Sequence, residues 1–251
     1  MKIKLSLLLA VLFGGASAGP AFAAENPIHP EADRLLRECS SKLTAAKALS
    51  FKAEVWEDNV VAGHKVSTSK TVTIQLRRPD RVQIEVRSPT RSRGFWYDGH
   101  TLTLLDRMNN LYGTVQVPDN IDKVLDAASD RYGIHFPLED LLVSDPYGSA
   151  MQGTKGGAYF GKVDLLGTPC RHIAFNTDVV DWQLWIADDT SLPRKLVITY
   201  KKEPAQPQVT AIFTDWDLNV RLPNDTFVFS APHGAGKIEM LPGKAMDPNA
   251  E

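Results

Sequence analysis

Cysteine is scarce in this sequence: Cys39 and Cys170 are the only two among 251 residues. A disulfide scaffold is thereby excluded, and a chain of this length buries a core without such staples. The motifs of common enzyme chemistry are missing as well. There is no G-x-S-x-G elbow, no P-loop and no G-x-G-x-x-G. The six histidines (His29, His64, His100, His135, His172 and His233) stand scattered, without H-x₃-H or H-E-x-x-H spacing. No metal site and no cofactor are therefore expected. A basic surplus is lacking too, with 28 Lys and Arg against 30 Asp and Glu. That argues against nucleic acid as a partner, because phosphate neutralisation needs a basic surface. No fixed-period repeat occurs, which disfavours propellers and solenoids.

What is present begins with an export signal. Lys2 and Lys4 precede an apolar block from Leu5 to Phe13, and Ala21-Phe22-Ala23 forms an A-x-A cleavage site. Residues 1–23 read as a cleavable signal peptide. Gly14, Gly15, Gly19 and Pro20 interrupt the run, and its apolar core is short for a bilayer. The expected location is the periplasm, with no integral membrane segment after cleavage. No cysteine near the cleavage site offers a lipid attachment point. Loss of Lys2 and Lys4 leaves 26 basic residues against 30 acidic ones, a formal charge of −4 on the mature chain. An oxidising compartment permits a Cys39–Cys170 disulfide. The alternative is two separately buried thiols, and spacing does not decide between them.

The centre of the chain is the stretch from Phe95 to Val117. Leu102 and Leu104 alternate there with Thr101 and Thr103, the period of a half-buried strand. Asp98-Gly99 and Asn109-Asn110 supply turns on either side. Upstream, Pro30 can open a helix, and Leu35, Leu36, Cys39 and Leu43 follow at helical spacing over about 31–46. Phe51, Ala53 and Val55, then Val72, Ile74 and Leu76, then Val82, Ile84 and Val86 mark three strands with one apolar face each.

After Pro118 the period changes to 3.6. Ile121, Val124, Leu125 and Ala128 share a helix face ended by Gly133, and a second short helix carries Leu138, Leu141 and Leu142 up to Asp145-Pro146. Strands then resume over 159–165, 168–176, 182–187, 193–200 and 208–220, with a short extended piece at 226–229. The prediction is a mainly β (α+β) fold: a strongly curved antiparallel sheet of about eleven strands forming an open half-barrel. An N-terminal helix and the mid-chain helical pair cover it. One domain spans 24–235, with 118–147 as a helical lid insertion and 236–251 as a flexible C-terminal tail.

Two groups of side chains invite a functional reading. Asp188-Asp189 and Asp215/Asp217 are paired carboxylates without a recognisable catalytic partner, the first in a turn and the second flanking Trp216 on one wet face. Trp56, Trp96, Trp182, Trp185 and Trp216 are either packing residues or an aromatic ligand lining. In the 182–187 strand, Trp182, Leu184 and Ile186 share one face and Gln183, Trp185 and Ala187 the other. Which face turns inward depends on pairing register, and the sequence leaves that open.

Three segments carry a resemblance. They are Phe95–Val117, the hairpin Trp182-Gln183-Leu184-Trp185-Ile186 … Leu192-Pro193-Arg194-Lys195-Leu196, and the closing Phe213-Thr214-Asp215-Trp216 … Phe227-Val228-Phe229. Together they resemble the periplasmic family catalogued as domain of unknown function 2092, which is similar to the LolA/LolB/RseB lipoprotein-carrier superfamily. The Arg77-Arg78-Pro79-Asp80-Arg81-Val82 turn also resembles a carrier segment. The resemblance implies an open barrel whose apolar concavity takes acyl chains beneath a helical lid. The expected function is a periplasmic protein, not an enzyme, that holds an apolar ligand such as a lipid or lipoprotein acyl chain. The alternative is an RseB-like envelope sensor or protein-interaction module with no small ligand. A monomer is expected. The candidate lining is Val72, Ile74, Ile84, Leu102, Leu104, Trp182, Leu184, Ile186, Leu196 and Ile198, and the candidate lid residues are Val124, Leu125, Leu138, Leu141 and Leu142.

Overall fold

The computed structural model describes residues 27–242. The leader at 1–23 and the last nine residues of the predicted tail lie outside the described residues. In chain order the elements are α1 (Pro30–Ala45), β1 (Ala48–Val61), β2 (His64–Arg77), β3 (Arg81–Ser88), β4 (Arg91–Tyr97), β5 (Thr101–Asp106) and β6 (Leu111–Gln116). There follow α2 (Ile121–Tyr132), a 3-10 turn (Glu139–Leu141), α3 (Pro146–Met151), β7 (Gly156–Leu165), β8 (Thr168–Asn176), β9 (Val180–Ala187), β10 (Pro193–Tyr200) and β11 (Gln208–Asp217). A second 3-10 turn (Asn224–Phe227) and β12 (Gly236–Lys237) complete the described chain.

All twelve strands form one sheet in the order β12-β6-β5-β4-β3-β2-β1-β11-β10-β9-β8-β7. Every neighbouring pair is antiparallel except β12 on β6. The sheet does not close: β12 and β7 are its two ends. Its halves are meanders, and they join where β1 pairs with β11, residues some 160 positions apart meeting as Ala53↔Phe213 and Val55↔Ala211. The predicted alternation holds along β1, where Leu49, Phe51, Ala53 and Val55 are buried on the concave side.

α1 forms where Pro30 stands at the first helical position and His29 Nδ1 accepts from the Glu31 amide at 3.1 Å. Its apolar stripe, Leu35, Leu36, Cys39 and Leu43, is buried against the concave face. Each leucine contributes at most about 1.5–3 kcal/mol by leaving water. The opposite face carries Arg34 and Arg37, paired with Glu31, Glu38 and Asp33 at helical spacing.

The structure corrects the reading in four places. A bulge sits in β11, where Ser50↔Asp217 and Lys52↔Thr214 leave one extra residue and Asp215 takes φ 55°. The bulge breaks the alternation that would have put Asp215 and Asp217 together. It also turns Trp216 inward, to stack on Phe51 at 4.3 Å and donate its indole N–H to Pro193 O at 2.9 Å. Second, Asp145-Pro146 opens a helix instead of ending one: Asp145 Oδ1 accepts from the Gly148 amide at 2.9 Å, and Pro146 begins α3. The same pair of residues serves either end, because an N-cap is extended and so suits the position before proline.

Third, a 3-10 turn over 224–227 takes in the first half of the piece expected to be extended at 226–229, while Val228 is extended, and Phe227 is buried with Arg77 over its ring. Fourth, Gly236 and Lys237, expected in a tail, pair with Leu111 and Tyr112 of β6, and the Ile238 amide donates to Tyr112 O at 2.8 Å. Backbone bonds of this kind protect an otherwise bare sheet edge.

Candidate functional site

The concave face is divided. Over β2–β5 it is closely packed: Val72, Ile74, Ile84, Leu102 and Phe95 are buried in one core cluster with Ile121, Val124, Leu125 and Ala128 of α2. Asn120 caps α2 by accepting from the Lys123 amide at 2.9 Å, and Gly133 ends it in the left-handed conformation at φ 61°. Over β9–β11 the helices stand off the sheet, leaving a cavity of about 580 Å³.

The cavity floor is built by register. Leu196 lies opposite Leu184 and Ile198 opposite Trp182, and Tyr200, Val209 and Val55 extend the same surface. Phe175 stacks on Trp182 at 4.5 Å and fixes its ring. The roof is Leu36, Cys39 and Leu43 of α1 with Phe136, Leu138 and Leu141 of the lid. Phe136 meets Phe95 edge-on at 5.1 Å, joining the roof to the closely packed half.

Polar groups gather at one end. Lys70 and Glu57 form an ion pair across β1 and β2, in line with the apolar stripes of those strands. His135, Asp140 and Gln152 line the cavity while remaining exposed, and mark its mouth. Burial pushes the Glu139 carboxyl above the usual carboxylate range, and Asp140 beside it adds to the shift. Burial likewise raises the Tyr200 phenol. An apolar interior with a few polar groups at one end is the chemistry of a site for an amphiphile. Among the described residues, no three or more His, Cys, Asp or Glu side chains come together as a metal-ligand group.

The roof is tied down at two points. Tyr147 of α3 donates its hydroxyl to Asp33 at 2.6 Å and its amide to Ser40 Oγ at 3.0 Å, while Arg37 lies 3.9 Å over its ring. The hydrogen bond from Arg37, and then that from Tyr147, holds the Asp33 carboxyl below its usual range. On the other side Arg78 donates to Leu142 O at 3.0 Å, and Asp122 receives the Ser144 amide at 2.8 Å. Arg78 Nε and Nη2 are buried without partners, and burial lowers its pKa. Leu138 is held at φ 62°, an uncommon conformation for leucine, at the joint between α2 and the 3-10 turn.

The predicted residues separate accordingly. Trp182, Leu184, Leu196 and Ile198 line the cavity, as do Leu138 and Leu141 of the lid. Val72, Ile74, Ile84, Leu102, Ile186, Val124, Leu125 and Leu142 are buried in the core instead. Leu104 is half-buried and packs against that core. Of the other tryptophans, Trp216 is in the interior, Trp96 packs under Phe229, Trp185 stacks on His172 and Trp56 is exposed. Cys39 and Cys170 are free and buried, so no bridge forms. Cys39 belongs to the roof, whereas Cys170 shares its strand face with His172, on the convex side. Burial raises both thiols, that of Cys39 to about 12. The carboxylate pairs have structural partners: Asp188 holds Lys162 and Arg171, and Asp215 holds Lys52.

The sequence reading missed the α1 side of the cavity and the Glu57–Lys70 pair. A signal for the pair existed, since Glu57 continues the buried Phe51, Ala53, Val55 stripe and Lys70 precedes Val72 on the facing one.

Residues 32–241 match the family described as predicted periplasmic protein, DUF2092. No curated protein matches the chain. Among solved structures, an uncharacterised conserved protein from Thermus thermophilus superposes with a TM-score of 0.50 at 8% identity, covering 83% of this chain and 99% of that one. LppX, a lipoprotein of Mycobacterium tuberculosis, gives a TM-score of 0.46 at 9% identity over 77% and 99% of the two chains. LprF from Mycobacterium bovis gives 0.45 at 12% identity over 84% and 100%.

Proposed function

We propose, for a chain that belongs to the DUF2092 family of predicted periplasmic proteins, that it is a binding protein holding a single apolar chain, as of a lipid or an acylated protein, between β9–β11 and the helical roof. The observation that carries this reading is the cavity of about 580 Å³ under α1 and the lid. Its size lies within the roughly 300–1,000 Å³ of small-ligand sites. A filled half-barrel serving only as a scaffold would pack both halves of the concave face as it packs the half under α2. Burial of ligand methylenes at about 0.8 kcal/mol each supplies affinity without directional contacts. The charged and hydroxyl groups at the mouth suit a polar head that stays in water. The lid part of the roof is held by a few hydrogen bonds, by the buried Phe136 and Leu142 and by the half-buried Leu138 and Leu141, so ligand entry requires that segment to lift while α1 stays in place. Export by cleavage after Ala23 belongs to the same reading, since it brings the protein to a compartment bounded by lipid.

Native mass spectrometry of protein purified from the periplasmic fraction, with solvent extraction of the same sample, tests the proposal. An adduct with the mass of an acyl-bearing species supports it. An unliganded mass that also takes up no added monoacylglycerol refutes it and favours the interaction-module alternative.

A further inference from the structure

The open end of the sheet at β7 carries three exposed apolar side chains close together: Phe160 at 62%, Val163 at 38% and Leu166 at 78% exposure. Leu166 also holds φ 53° in the two-residue turn to β8, a conformation that bulky residues avoid and that asparagine or glycine would occupy at less cost. Among the described residues, only Ile28 pairs with the outer edge of β7, and it does so at Gly157. Beyond a bulge at Phe160, the segment Gly161–Leu165 pairs regularly with β8 and presents a bare edge. Counting back from the Leu165↔Thr168 pair that flanks the turn, alternate residues face β8, so the backbone N–H and C=O of Lys162 and Asp164 point outward.

We propose that this edge is a self-association site, at which β7 of two copies pairs antiparallel about a two-fold axis through Val163. The charges select the register. With Val163 opposite itself, Lys162 of each copy faces Asp164 of the other, and these are the residues whose backbone groups are free to bond across the axis. Sliding one step either way along the two-fold registers sets Lys162 against Lys162, or Asp164 against Asp164. Like charges directly opposite are destabilising. The same register puts Val163 on the axis and brings Phe160 level with Leu166 of the second copy, so all three exposed apolar residues are covered together. The bond of Lys162 to Asp188 at 2.8 Å does not compete, because an ammonium has three donors. A closed two-fold contact also ends the exposed edge without building a filament.

Sedimentation velocity over a concentration series of the purified protein tests this. The wild type is expected to move from one mass to twice that mass. Asp164→Asn, whose side-chain oxygen still accepts from the Gly167 amide, should weaken the dimer severalfold, and added salt should weaken the wild-type dimer as well. Leu166→Asn is a second probe, since asparagine suits the turn: it should keep or raise Tm while weakening the dimer. A wild type that stays monomeric throughout overturns the proposal. A dimer that neither Asp164→Asn nor added salt weakens overturns it equally.

Discussion

Ile198 and Ile84 are the same residue type on strands of the same sheet, and sequence alone places both in the ligand site. The structure puts Ile198 on the floor of the cavity and Ile84 at 0% exposure beneath α2. Replacing each by tryptophan therefore asks whether the void is real. The indole adds about six heavy atoms to the side chain. In the packed core beside Ile84 those atoms have no room, and overpacking costs roughly 1–3 kcal/mol or more. For a chain of this size that lowers Tm by about 2–12 °C. At Ile198 the added atoms enter the cavity, and Tm should stay within about 3 °C of wild type. Binding should respond in the opposite sense. Displacing even two ligand methylenes at about 0.8 kcal/mol each loses about 1.6 kcal/mol, roughly fifteenfold in affinity. Thermal unfolding and titration with a dansylated fatty acid read the two effects separately. Equal destabilisation by both variants, or unchanged binding by Ile198→Trp, would refute the division of the concave face.

Adjacent lid leucines should likewise differ. Leu141→Asp, on the cavity roof, is expected to lower ligand affinity at least tenfold with Tm nearly kept. Leu142→Asp buries a charge at a fully enclosed position and should cost at least about 3 kcal/mol, seen in urea unfolding. Tyr147→Phe removes the hydroxyl bonds to Asp33 and Arg37 while keeping the ring, so it should loosen α3 by about 1 kcal/mol. Faster amide exchange confined to 146–151 and the facing turn of α1 would report it. The pH dependence follows from Glu139, whose folded pKa is raised by burial. Its favourable contribution is present below the ordinary value of about 4.3 and is lost as pH rises through the folded pKa. Glu139→Gln should therefore raise Tm near pH 7.5 and leave it unchanged near pH 4, as followed by calorimetry.

How far the sequence carries depends on the range of the interaction. Alternating residues such as Phe51, Ala53 and Val55 report their own face, and Pro30 reports its own helix, so strands and helices were legible locally. The number of half-apolar strands, whose twist accumulates, with a single helical insertion implied the open, helix-covered half-barrel, and the family resemblance agreed with it. What stayed hidden needed either a local irregularity or a distant partner. The Asp215 bulge re-aims Trp216 without any residue that demands it, and Asp145-Pro146 carries the same local preferences at the start of a helix as at its end. The division of the concave face is decided by where α2 and α1 come to rest. Ile84 and Ile198 look alike because nothing in their own segments records which helix lies above. The Gly236–Lys237 strand is equally hard to read: only two residues pair, with Leu111 and Tyr112, too few to show a strand period.

The central claim is that the space under α1 and the lid takes up an apolar chain. Calorimetric titration with monoacylglycerols of increasing chain length, about eight to sixteen carbons, tests it most directly. A neutral head avoids repulsion by Glu57, Glu139 and Asp140. Affinity should climb about fourfold per added methylene, with a negative heat-capacity change, and level off once the cavity is full. Affinity that is flat with chain length, or binding that rises without limit as chains aggregate on the surface, would contradict the account.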